Sequence, residues 1–135
     1  MDKKYDLTFI GDLILGDHPL YYGIGVSSKW EKEKIDYFYY VRQYLSNSKV
    51  VIGNLETPIT KKWSKSYYAS QLLSNVNILS SLPLNINILS IANNHILQHG
   101  EVIFYETIDA LSSANIDIIG EYGQDILLKN IDNYK

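Results

Sequence analysis

Short β-branched runs alternate along this chain with longer stretches whose apolar residues recur at helical spacing. Tyr5–Ile10 (YDLTFI) predicts a strand that ends at Gly11-Asp12. Between Trp30 and Ser46, residues Ile35, Phe38, Val41 and Leu45 share one side of a helix, so the spacing predicts an amphipathic helix. Lys49–Gly53 (KVVIG) is apolar without alternation, as in a strand covered on both faces. A polar stretch from Lys61 to Ser70 then predicts a surface loop. Ser74–Leu82 predicts a short helix stopped by Pro83. Asn85–Ala92 (NINILSIA) predicts a third strand and Ile116–Ile119 a fourth. Between those two, His99–Ala114 predicts a helix with Val102, Tyr105, Ile108 and Leu111 on one side. Gln124–Lys135 begins another apolar and polar stretch that closes no further helix. Strands joined by crossover helices predict an α/β fold with a parallel sheet.

Composition narrows the class. The 135 residues are 46% hydrophobic and 20% charged, which suits one globular domain over residues 1–135 and excludes a disordered chain. Net charge is −3 and the 12 Lys and Arg form no basic stripe, so nucleic acid is not expected as a partner. With no cysteine there are no disulfides, thiolate metal sites or iron–sulfur clusters. The N-terminus lacks the apolar core of a signal peptide, and no apolar run reaches the roughly 20 residues of a membrane span. A cytoplasmic chain is the expectation.

Ligands of open parallel sheets bind outside the carboxyl ends of the strands. Here three predicted strand ends carry polar residues: Gly11-Asp12, then Asn54-Leu55-Glu56-Thr57-Pro58, then Asn93-Asn94-His95. In a parallel sheet Asp12, Asn54, Glu56, Asn94 and His95 meet on one rim. Carboxylates, amide oxygens and an imidazole suit a divalent cation such as Mn²⁺, Mg²⁺, Fe²⁺ or Zn²⁺. Each residue taken alone also has a structural reading. Asp12 reads as a turn residue or helix cap, Asn54 as an Asx turn, Asn93-Asn94 as a turn pair and His95 as a packing histidine. Glu56 resists this, because an acid between Leu55 and Pro58 caps no predicted helix. His18, His99, Trp30 and Trp63 read as structural.

Three motifs in order, GDLILG at 11–16, NLETPIT at 54–60 and ANNH at 92–95, resemble those of the bacterial capsule-synthesis CapA family. A helix with a threonine and the glycines Gly120 and Gly123 follow, so the resemblance runs from about Tyr5 to Gly123. That family serves the poly-γ-glutamate capsule and is similar in fold to calcineurin-like metallophosphoesterases. The resemblance implies the N-terminal part of a four-layer αββα sandwich. It also implies a metal site of Asp12, Asn54, Glu56 and Asn94, with His95 as the catalytic residue contacting phosphate or leaving group. Two positions depart from the pattern: Ile14 stands where the wider superfamily has a histidine ligand, and Gln98 where the capsule branch has an aspartate. The family domain is longer, and its second half would supply a Gly-His-x-His motif that completes the site. The expectations are therefore open: a metal-dependent phosphoesterase-type hydrolase of weak activity, a non-catalytic capsule-assembly protein, or a fragment with a vestigial half-site. An uncovered sheet face in such a half-sandwich implies a homo-oligomer or a second chain.

Overall fold

A computed structural model describes residues 4–18, 20–61, 72–124 and 126–130. The elements are β1 (Tyr5–Leu13), β2 (Asp17–His18), β3 (Tyr21–Gly25), α1 (Val26–Glu33), α2 (Tyr39–Leu45), β4 (Ser48–Leu55), β5 (Ile59–Thr60) and β6 (Ser74–Asn75). A 3-10 helix (Val76–Ser81), β7 (Ile86–Ser90), α3 (Glu101–Ser113) and β8 (Asp117–Ile119) complete the series. The predicted loop beyond Lys61, Trp63 within it, and the stretch from 131 onward lie outside the described residues.

The central sheet has the order β1-β4-β7-β8, and every pair in it is parallel. This is the α/β architecture the alternating pattern predicts. The core fills the helix-covered side, where Val51, Leu55, Leu89 and Ile91 meet Leu45, Ile78 and Leu111. Among the described residues no helix is long and apolar enough to cross a membrane.

Three elements differ from the sequence expectation. The helix predicted over 30–46 is two helices. Lys34 leaves α1 in the left-handed region at φ 53°. Asp36 then accepts the Phe38 N–H at 2.9 Å and starts α2. A short acceptor side chain here competes with helix continuation, and of the predicted apolar stripe only Phe38 and Leu45 are buried. The predicted helix over 74–82 is instead a two-residue strand and a 3-10 turn, capped by Asn75 accepting the Asn77 N–H. In α3 the buried side is rotated: Thr107, Ala110 and Leu111 face inward, while Val102 and Tyr105 are exposed.

The β2–β3 hairpin has no counterpart in the predicted elements. Asp17 anchors it, fully buried but fully bonded. Its carboxylate accepts the Ser28 N–H at 2.9 Å, the Gly23 N–H at 3.1 Å and the Ser28 hydroxyl. Those bonds fix the first turn of α1 and offset the cost of burying the charge.

Among the described residues no helix covers the other face of the sheet. Tyr5, Leu7 and Phe9 alternate along β1 and are 48, 46 and 72% exposed. Side chains of registered parallel partners share a face. Val50, Ile52 and Ile88 therefore continue this apolar surface across β4 and β7, and Asp117 and Ile119 close it on β8. Val50 and Ile88 are buried but stand outside the main core. Near β8 the segment 126–130 is tied down by the Lys129–Asp117 ion pair.

Candidate functional site

The carboxyl ends of β1, β4 and β7 carry the site. Between Phe9 and Asp12 the β1–β4 register shifts: Phe9 pairs with Ile52, but Asp12 pairs with Asn54. Three steps on β1 thus match two on β4, so β1 holds one extra residue. Such a bulge re-aims a side chain, and here it sets Asp12 opposite Asn54. Glu56 follows the end of β4, its N–H donating to Leu13 O at 3.2 Å. Asn93, Asn94 and His95 form the turn after β7.

All five predicted residues come to the rim and, together with Asn93, form one bonded cluster. Asn54 Nδ2 donates to Asp12 Oδ1 at 2.8 Å and to Glu56 Oε1 at 2.5 Å. His95 Nε2 lies 3.5 Å from Glu56 Oε2. Its Nδ1 is 3.2 Å from Gln98 Oε1, and Asn94 Nδ2 is 3.3 Å from Nε2. With Nδ1–H directed at Gln98, neutral His95 accepts at Nε2, and protonated His95 has Glu56 as its counter-charge. Gln98, where the resemblance expects an acid, is thus an amide oxygen that orients the ring. The Glu56 side chain is only 13% exposed, whereas Asp12 is open to solvent.

As a metal site the donor set fits in part. Asp12 and Glu56 converge through Asn54, which gives a divalent cation an anionic wall. Asn54, however, turns its N–H donors toward both carboxylates, and Asn94 turns its own toward His95. The Asn54 oxygen, which accepts from Asn93, is not presented as a ligand in this arrangement. Among the described residues no group of three or more His, Asp or Glu side chains is arranged to hold a metal ion.

Two cavities flank the rim. One, of about 720 Å³, lies beside Asn93 and Asn94 over Ile91, Phe104 and Gly120, with Tyr122 at its edge. Gly120 has φ +98°, and a side chain there would come within 2.4 Å of Ala92 Cβ, so only glycine lets β8 approach the ANNH turn so closely. The other, of about 320 Å³, lies on the far side of Asp12 between Ile10, Phe38 and Tyr44.

Residues 6–127 match the family described as bacterial capsule synthesis protein PGA_cap. The chain belongs to this family. It is 28% identical over 127 residues to the capsule biosynthesis protein CapA of Bacillus anthracis, covering 88% of this chain and 29% of that protein. It is 27% identical over 125 residues to the PGA biosynthesis protein CapA of Bacillus subtilis (strain 168), covering 88% of this chain and 30% of that one. The chain spans less than a third of the length of these relatives. The capsule-synthesis motifs therefore sit where the sheet topology places ligand-binding residues.

Three further residues support the site, each visible in or beside a motif but with no partner legible in the sequence pattern. Thr57 Oγ1 accepts the Leu15 N–H at 2.8 Å and the Gly16 N–H at 3.3 Å, tying the β1 exit to the β4 exit. Thr107 accepts the Ile59 N–H at 2.9 Å and so holds the 54–60 motif against α3. Asn93 joins the two motif loops directly. A threonine in a motif after Glu56 was visible, but only the fold reveals what it bonds.

Proposed function

We propose that this chain serves capsule polymer biosynthesis, poly-γ-glutamate in particular, and that its rim is half of a metal-dependent phosphoesterase-type site. The observation that carries the reading is the Asp12–Asn54–Glu56 bridge with His95 beside Glu56. In this reading Asp12 and Glu56 hold a divalent cation, with Asn54 and Asn94 as the neighbouring amides. The cation, when bound, supplies charge stabilisation to a phosphoryl oxygen and lowers the pKa of a water. His95 donates from Nε2 to the leaving oxygen as a general acid, and Glu56 stabilises the imidazolium before transfer. Gln98 keeps the ring directed for that step.

The second reading, a non-catalytic capsule-assembly protein, is favoured by the way Asn54 satisfies both carboxylates without a cation. Calorimetry with Mn²⁺ separates the two. Micromolar binding that is lost in both Asp12→Ala and Glu56→Ala supports the half-site; absence of binding by the unaltered chain refutes it. Turnover of a phosphoester by this chain alone is expected to be slight, because two carboxylates leave the coordination open.

We further infer that the apolar sheet face is covered by a second copy of the chain. Exposed apolar side chains of this kind, Tyr5, Leu7 and Phe9 on β1 beside the half-buried Ile52 of β4, mark an interaction site.

A further inference from the structure

We propose that Asn93 is the positioning residue of the rim, setting which way round the Asn54 amide stands and where the His95 turn sits. The argument rests on the chemistry of its partners. Asn93 Nδ2 is 2.9 Å from Leu55 O, a carbonyl that can only accept. Its Oδ1 is 3.1 Å from the His95 N–H and 3.2 Å from the Ile96 N–H, which can only donate. Those three contacts leave the Asn93 amide a single orientation. Its nitrogen therefore also faces Asn54 Oδ1, at 3.2 Å, as a donor.

Asn54 is then oriented in turn. With its oxygen engaged by Asn93, its nitrogen faces Asp12 and Glu56, both acceptors when ionised. A directed chain of bonds runs from the Leu55 carbonyl through Asn93 and Asn54 to the two carboxylates. The same Asn93 oxygen pins the turn that carries His95. One side chain thus couples the carboxylate pair on β1 and β4 to the imidazole after β7. An Asn54 oxygen can turn toward a cation only if the bond from Asn93 is given up. Partners that orient ligands in this way set a site's affinity without touching what it binds.

The consequence for cation binding rests on the phosphoester-site reading above, but the orientation itself is tested without metal. The experiment records side-chain amide spectra of ¹⁵N-labelled, metal-free chain in four forms: unaltered, Glu56→Gln, Asn93→Asp and the double variant. Asn93→Asp keeps an oxygen for the His95 and Ile96 N–H groups and places a second oxygen against Asn54. In the unaltered background Glu56→Gln should shift the Asn54 NH₂ signals, because they donate to Glu56. In Asn93→Asp those signals should already be displaced, and adding Glu56→Gln should leave them where they are. Backbone amides of β4 and β7 serve as the control for an intact fold. If Asn93→Asp leaves the Asn54 signals in place and Glu56→Gln still shifts them, the proposal is overturned. Should Asn93→Asp not fold, Asn93→Ser retains an oxygen for the turn, and its shorter side chain withdraws the donor from Asn54 Oδ1, with the same expected pattern. Failure to bind Mn²⁺ would remove the hydrolase reading and leave this result untouched.

Discussion

The two faces of the central sheet use the same strands and end up in opposite conditions. On one, Ile10, Val51, Leu89 and Ile91 lie under α2, the 3-10 helix and α3. On the other, Tyr5, Leu7 and Phe9 stand largely in solvent. The run Val50-Val51-Ile52 supplies both, since successive residues point to opposite sides. A strand that is apolar at both parities is built to be covered twice, and here only one cover belongs to the described residues. The contrast locates where the fold is held together and where it is available.

The sharpest way to test that contrast is to cut into each face separately. Leu89→Ala removes a fully buried side chain from the covered face and should cost about 3 kcal/mol of unfolding free energy in urea titration. Phe9→Ala on the open face should cost under about 1 kcal/mol by the same measurement in dilute solution. Equal costs would mean that both faces are closed in solution.

A second comparison asks what lies over the open side. Light scattering at micromolar concentration should give twice the chain mass for the unaltered protein and the single mass for Phe9→Lys, whose charge replaces the most exposed apolar side chain of β1. A single-chain mass for both would rule out self-association as the cover.

The smallest effect belongs to an exposed ledge between α1 and α2. Arg42 donates to Asp36 at 2.8 and 3.1 Å, and this hydrogen bond is the main reason the Asp36 carboxyl titrates below its ordinary value of 3.8. The depressed value means that Asp36 contributes stability above the unfolded pKa and loses it as pH falls through the folded one. Arg42→Ala should lower stability slightly at neutral pH and hardly at all below the Asp36 titration, so that urea titrations at a series of pH values show a flatter acid limb, the effect being small for an exposed pair.

Much of this was legible in the residues, for identifiable reasons. The parallel sheet follows from β-branched runs spaced by helical ones, and the rim follows from the sheet, so the sequence alone brings Asp12, Asn54, Glu56, Asn94 and His95 together. KVVIG, which lacks alternation, already indicated two apolar faces. What stayed hidden depends on local competition or on distant partners. Asp36 capping Phe38 overrides an apolar spacing that would otherwise continue a helix. The β2–β3 hairpin depends on Asp17 reaching Ser28. Asn93 looks like an ordinary turn residue until its amide is found between Leu55 and Asn54.

The extra residue in β1 has a consequence for how such a chain can vary. The bulge depends on the number of residues from Phe9 to Asp12 and not on which side chain stands in the extra place. A side chain at Gly11 would meet nothing within 4 Å, and that position is free to change identity. Losing it would make the count two against two: Asp12 would still stand opposite Asn54, but on a regular ladder without the bulge that re-aims its side chain. Drift by substitution is cheap at this point of the strand, whereas a single deleted codon would straighten β1 and change how the rim's first acid is aimed.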